Sequence, residues 1–324
     1  MVGCGGELCP FMRIVVTGGA GFIGSHLVDA LLAHGHDVLV LDSLWAHGGG
    51  RRENVPSGAE FVEMDIRDPG VGAVFERFKP DVISHHAAQH SVAIGARDPK
   101  YDADVNVLGT LNVLEAGRMA GVHKVIFASS AATYGDVDRM PVDEDSPQRP
   151  ISPYGITKMI TEHYLRFYQL QYAIDYTSLR YGNVFGPRQD PNGEAGVIAI
   201  FAARFLRGEG VRIDSDGEQT RDYVYVADVV RANVAALTKG AGQVYVIGAG
   251  QTTSVNAVYR ALVAATDFEA PVTHAPRRDG DAREIYFNPA KAARELDWKA
   301  EISLADGMQA TVDFFRAQHL NAAV

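Results

Sequence analysis

Short apolar runs alternate with stretches whose apolar residues recur every three or four positions through the first half of the chain. The run Arg13–Thr17 predicts a buried strand, and Ile23, Leu27, Ala30 and Leu31 fall on one helical face. His34–Gly35–His36 closes that helix, and Val38–Leu41 predicts a second strand. The same rhythm returns in "EFVEMDI", "DVISHHAA", "KVIFASS" and "YTSLRYG", with helical segments between most of them. Strands apolar on both faces, separated by helices, predict an α/β fold with a doubly wound parallel sheet. From Gly186 the rhythm breaks into "GPRQDPNGEAG", followed by helices, short strands and a terminal helix after Ile302. The expected division is a sheet domain over 12–185 and a smaller mixed α/β domain over 186–324. A segment of about 220–250 is expected to be exchanged back into the first.

Composition narrows the class. Hydrophobic residues make up 47% and charged residues 22% of 324, ordinary values for a globular chain with a large core. The net charge of -10 argues against a nucleic-acid surface. No run of 18 apolar residues suggests a membrane span. Residues 1–11, "MVGCGGELCPF", lack the basic start and apolar core of a secretory signal and read as a disordered or mis-assigned extension before Met12. Cys4 and Cys9, the only cysteines, have no zinc-like spacing, so no metal site is expected and a reducing cytoplasm is the default.

The turn "TGGAGFIG" places Gly18, Gly21 and Gly24 between the first strand and its helix. Glycines there allow a tight turn and let a pyrophosphate approach the helix N-terminus, which favours anions. Together with the strand–helix–strand unit, this predicts a Rossmann-type dinucleotide site. Asp42 ends the second strand, where a carboxylate can accept bonds from a ribose and would repel a 2′-phosphate. Ser43 and Leu44 follow with no adjacent arginine, so NAD is expected rather than NADP.

In "SPYGITKMITE", Tyr154 and Lys158 stand four residues apart, one helical turn, on one face. An ammonium beside a phenol favours the phenolate and predicts a lowered tyrosine pKa. A solvated helix face shows the same spacing by chance. His85, His86 and His90 suit either a metal or packing around a cofactor, and their place in the strand and loop favours packing.

Taken with "DIRD", "HHAAQ", "NVLGTLNVLEA", "FASSAATYG", "RYGNVFGPRQ", "GEQTRDYVYVADV" and "RRDGD", these motifs resemble the extended short-chain dehydrogenase/reductase family, and within it the nucleotide-sugar epimerases. The likeness runs from Met12 to the last helix. It implies Tyr154 as catalytic base, Lys158 as its activator and Ser130 as the third catalytic position. For NAD it implies Phe22 and Ile23 on the phosphate turn and Asp65 with Ile66 at the adenine. It further implies Ala87, Ala88 and Gln89 along the pyrophosphate and nicotinamide side, Asn106 supporting that loop, and Tyr181 beside the nicotinamide. Asn183, Arg221 and Arg278 match positions that hold a sugar-nucleotide diphosphate, and Asp281 matches a ribose contact.

Nucleotide-sugar dehydratases of this kind carry an Asp–Glu pair where this chain has Ala131 and Ala132. Uronate enzymes carry an arginine after "GPRQ", where this chain has Asp190 and then Asn192. The resemblance therefore implies C4 epimerisation of a neutral UDP-hexose, interconverting UDP-glucose and UDP-galactose through a 4-keto sugar. The alternative is an epimerase or decarboxylase acting on UDP-glucuronate or UDP-N-acetylglucosamine. Asp214 and Ser215 depart from the nucleobase pattern, and Ile285 leaves the acetamido question open. A homodimer is implied, packed through the helices around Asp104–Ala120 and Tyr154–Tyr172.

Overall fold

The computed structural model describes residues 10–45, 47–192, 196–276 and 283–322. In chain order it begins β1 (Arg13–Thr17), α1 (Phe22–Ala33), β2 (Asp37–Asp42), β3 (Glu60–Glu63), α2 (Val71–Phe78) and β4 (Val82–His85). Next come α3 (Val92–Arg97), α4 (Pro99–Ala103), a π-helical stretch (Asp104–Gly109) running into α5 (Thr110–Ala120), β5 (Lys124–Ser130), α6 (Pro153–Tyr172) and β6 (Asp175–Tyr181). The second half contributes β7 (Asn183–Phe185), α7 (Val197–Leu206), β8 (Val211–Asp214), β9 (Thr220–Arg221), β10 (Tyr223–Tyr225), α8 (Val226–Ala236) and β11 (Gln243–Ile247). It closes with β12 (Thr253–Ser254), α9 (Val255–Thr266), β13 (Val272–Ala275), α10 (Ala290–Glu295) and α11 (Leu304–Ala322).

Seven of these strands form one parallel sheet in the order β11-β6-β5-β4-β1-β2-β3. The order reverses beside β1, which pairs with both β2 and β4. In a doubly wound sheet the crevice at that reversal, outside the carboxyl ends of the strands, is where ligands bind. The fold is therefore the Rossmann-type arrangement.

Alternation along β1 shows how the sheet is covered. Ile14 and Val16 join a buried cluster with Leu27, Leu31 and Val229, whereas Val15 faces a second one with Phe75, Val113 and Leu165. A third cluster, built on Ile198, Phe205, Ile213, Leu262 and Val312, lies wholly in the second half of the chain. The strand β11 returns from that half to pair with β6, with Tyr245 opposite Leu179.

Candidate active site

The turn after β1 is shaped by close backbone approach. At Gly24 a Cβ would stand 2.2 Å from the carbonyl oxygen of Gly18. At Gly18, where φ is +69°, a Cβ would stand 2.6 Å from the amide nitrogen of Ala87. A side chain at Gly24 would push the first turn of α1 off the turn after β1, and one at Gly18 would push that turn off the loop after β4. That first turn has no side-chain cap and no acidic residue, so its amide groups face the crevice available to an anion.

The crevice is a cleft of about 300 Å³. Gly18, Gly21, Phe22, Ile23, Gly24, Asp42, Ser43, Asp65, Ile66, Ala87, Ala88, Gln89, Tyr154, Lys158 and Tyr181 all line it. Asp42 accepts from the amides of Ala20 at 3.0 Å and Leu44 at 2.9 Å, tying the glycine turn to the loop after β2. Burial raises its pKa from the usual carboxylate value, against the pull of those two amides. The Asp65 carboxylate is gripped by Arg67 through Nε at 3.0 Å and Nη2 at 2.7 Å, which lowers its pKa. Asn106 is buried behind the cleft and clamps the Gln89 backbone, accepting from its amide at 2.8 Å and donating to its carbonyl at 2.9 Å. A glycine cradle that a Cβ would fill, next to a carboxylate at the end of β2, fits a dinucleotide.

At the other end stands the Tyr154–Lys158 pair. Ser152 caps α6, its side chain accepting from the Gly155 amide at 3.1 Å, and Pro153 opens the first turn. Tyr154 and Lys158 therefore sit one turn apart near the helix start. Gly155 lets that turn press on the segment after β5, since a Cβ there would stand 2.4 Å from the Ala132 carbonyl oxygen. Ser130, which ends β5 and accepts from the Ala132 amide at 3.1 Å, lies beside that contact and acts on the Tyr154 phenol.

The electrostatics differ from the expected lowering of the tyrosine pKa. Burial pushes the Tyr154 phenol up to about 12, with the Ser130 hydrogen bond opposing and the Asp102 carboxylate adding to the rise. Lys158 is held down to about 8 by burial, opposed by Asp102 and Glu162. Its Nζ donates to the Ala128 carbonyl at 2.7 Å and lies 5.7 Å from the centre of the Tyr154 ring. In the protein alone, loss of solvent sets the direction for both groups.

Other expected residues fall elsewhere. Asn183 begins β7 and is exposed, and Arg221 lies on β9 with its Nη1 donating to the Thr220 carbonyl at 2.7 Å; neither lines the cleft. Arg278 and Asp281 lie outside the described residues. His85 is enclosed between the Thr17 and Thr110 hydroxyls at 2.6 and 2.9 Å. His86 stacks on Tyr181 at 6.4 Å between ring centres. Burial holds both imidazoles down to about 3. Among the described residues no group of three or more His, Cys, Asp or Glu could hold a metal ion. No described helix is long and apolar enough to cross a membrane.

Several lining residues lie outside the motifs that mark the site in the sequence. Trp45, His47 and Gly48–Gly50 follow β2 and face Gln189 and Asp190 across the cleft mouth. Arg51 Nη2 lies 4.0 Å from Asp190. The "GGG" after Asp42 was the available hint. Because Asp190 meets Arg51 there, its charge is partly answered, which weakens it as a discriminator against uronates.

Comparison with known proteins agrees with this geometry. The UDP-glucose 4-epimerase of Mycolicibacterium smegmatis is 45% identical over 94% of this chain and 99% of its own length. The UDP-glucose 4-epimerase of Thermotoga maritima, solved with UDP-glucose, superposes with a TM-score of 0.92 at 46% identity, covering 95% of this chain and all of its own. The Thermus thermophilus UDP-glucose 4-epimerase, solved with NAD, gives 0.89 at 45% identity, covering 94% and 99%. The model of the NAD dependent epimerase/dehydratase family matches residues 14–248, and this chain belongs to that family.

Proposed function

We propose that the protein is a UDP-glucose 4-epimerase, interconverting UDP-glucose and UDP-galactose with NAD retained through turnover. The observation that carries this reading is the placement of Tyr154 and Lys158 at one end of a dinucleotide-shaped cleft, with Ser130 beside the phenol and outside the cleft lining. Ala131 and Ala132 leave the adjoining turn without an acid–base pair for elimination. The relatives named for this reaction share nearly the whole chain.

Bound NAD would be held by the glycine turn, by Asp42 and by the Ala87–Gln89 loop. It supplies a hydride acceptor and donor, and a positive charge in its oxidised form. Tyr154 Oη takes the proton of the sugar 4-hydroxyl and later returns it. Ser130 Oγ hydrogen-bonds that hydroxyl and keeps it aligned with the phenol. Lys158 offsets the negative charge that forms on the phenol, and a phenol at about 12 in the protein alone needs such help to act near neutral pH. Asn183, Arg221 and Arg278 would anchor the diphosphate and Asp281 the nucleotide ribose, so that the flat 4-keto sugar turns over without leaving. The test is to incubate purified protein with UDP-galactose and separate the products. Formation of UDP-glucose without added NAD is expected, and absence of interconversion of any neutral UDP-hexose rejects the reading.

The cytoplasmic homodimer expected from the sequence is part of this proposal. Leu108, Met119, Ile156, Phe167, Leu170 and Tyr172 are exposed along the π-helical stretch, α5 and α6, with Met119 at 75% and Leu170 at 76%. Apolar residues so exposed on neighbouring helices suit burial against a second copy. The nucleotide-binding half over 12–185 supplies nearly all of the cleft lining and the substrate half over 186–324 adds Gln189 and Asp190 at its edge, with 220–250 crossing between the halves.

A further inference from the structure

Asp102, in the last turn of α4, has no solvent exposure. Its Oδ1 accepts from Gln89 Nε2 at 2.7 Å and its Oδ2 from the Thr157 hydroxyl at 3.0 Å. Helix α3 presses on it from behind, where a Cβ at Gly95 would stand 2.8 Å from Oδ1. Among the described residues it makes no ion pair. A buried carboxylate with hydrogen bonds but no cation in contact is costly unless a nearby charge is served.

The surrounding groups identify that charge. Helix α6 presents Tyr154, Lys158 and Glu162, and Glu162 is already answered by Arg180 at 2.6 Å. Strand β4 and its loop present His85 and His86, which are neutral near pH 7, and β6 presents the neutral phenol of Tyr181. On the segment that carries Asp102, Asp104 is taken by Arg67 at 2.7 Å, and the Tyr101 phenol is neutral near pH 7. Arg97 on α3 and Lys100 on α4 are exposed to solvent, which leaves Lys158 as the buried cation of this group. Thr157, which bonds Asp102, sits between Tyr154 and Lys158 in the chain.

We propose that Asp102 is a positioning residue of the reaction, the counter-charge that keeps the buried Lys158 ammonium protonated while its bond to Thr157 fixes the helical turn carrying Tyr154 and Lys158. This rests on reading that pair as the reacting one. Burial lowers Lys158 to about 8, and Asp102 is the first influence opposing that fall, ahead of Glu162. Asp102 also adds to the rise of Tyr154. Removing its charge therefore moves both groups to lower pKa.

Asp102→Asn removes the charge and leaves the bonding intact. The amide oxygen still accepts from Gln89, and the amide nitrogen donates to Thr157, whose own proton has the Tyr154 carbonyl as an acceptor at 3.0 Å. Asp102→Ser is a second neutral variant with room for a water. The Lys158 side chain is titrated by NMR in the holoenzyme, assigned with Lys158→Met, alongside the pH profile of kcat/KM. In either folded variant the lysine titration and the alkaline limb should move down by about one unit. A lysine titration unchanged to within a few tenths in a folded variant overturns the proposal, and so does failure of both neutral variants to fold. If the wild-type enzyme turns over no UDP-hexose, the functional reading fails while the lysine titration still decides the role of Asp102.

Discussion

Removing one partner of the Glu162–Arg180 pair gives the sharpest test of how the catalytic end is held. Both side chains are nearly dry, at 7% and 6% exposure, and their N–O distance is 2.6 Å. Glu162 also accepts from Arg180 Nε at 3.0 Å, Ser129 at 2.6 Å, Ser178 at 3.0 Å and Gln148 at 3.0 Å, while Arg180 donates to the Tyr134 hydroxyl at 2.8 Å. Glu162→Gln strands a buried guanidinium, a change that costs about 3–5 kcal/mol. Arg180→Met strands the carboxylate and should cost a similar amount. The double variant carries no stranded charge, so it should lose less than the sum, by a coupling of about 2–3 kcal/mol. Urea-unfolding midpoints at fixed NAD and protein concentrations measure all three.

The pH dependence supplies a second readout from the same variants. Burial alone would raise Glu162, but hydrogen bonds and attraction from Arg180, with help from Ser129 and Ser178, leave its pKa below the ordinary glutamate value. A lowered carboxylate stabilises the fold above its unfolded pKa of about 4.3, and that contribution fades as pH falls through the folded value. The gap between wild type and Glu162→Gln should therefore be flat above about pH 5 and shrink below about pH 4. Single variants that lose under about 1 kcal/mol, or a strictly additive double variant, would refute the claim that this pair is a coupled buried unit.

Tyr154→Phe should cut kcat by about 10²–10⁴ while leaving bound NAD in place, as measured by UDP-galactose turnover and cofactor content. Gly24→Ala should weaken NAD retention at least about tenfold, read by dialysis and nucleotide release, because the new Cβ meets the Gly18 carbonyl. Gly155→Ala should lower kcat with NAD content unchanged, since its Cβ meets the Ala132 carbonyl and not the cofactor turn. If the proposed dimer packs through α5 and α6, wild type should sediment as a dimer and Leu170→Glu with Met119→Glu as a monomer; a monomeric wild type or an unchanged dimeric variant would remove these helix faces as the interface.

Much of the sheet was legible because strand and helix periods are local properties. The run Arg13–Thr17 is β1 as read, and Val38–Leu41 grows by one residue at each end to become Asp37–Asp42. The pairing of β11 with β6 was not legible, since no local pattern says which edge a late apolar run will join. Nor was the π-helical stretch over Asp104–Gly109, where a Cβ at Gly109 would stand 2.8 Å from the Ile66 side chain. Gln89, Asp102 and Thr157 meet across 68 positions of sequence; Gln89 is marked by its motif, but nothing local to Asp102 or Thr157 says that they join it.

The Tyr154 phenol stands above its ordinary pKa for a reason that spacing does not carry. Spacing of four on a helix fixes which two side chains are neighbours, and that neighbour relation holds here. It carries no information about how much water surrounds them, and burial acts on both members at once. Desolvation raises a phenol and lowers an ammonium, so burying the pair opposes ionisation of each, while their mutual attraction favours it. Which influence wins depends on the remaining charges nearby. In this protein those are carboxylates, Glu162 answered by Arg180 and Asp102 without an ion pair, contributed by different helices. The reactivity of the pair is thus set by an electrostatic balance that the fold assembles, and Asp102→Asn, which keeps the bond to Thr157, should move it without moving Tyr154 relative to Lys158.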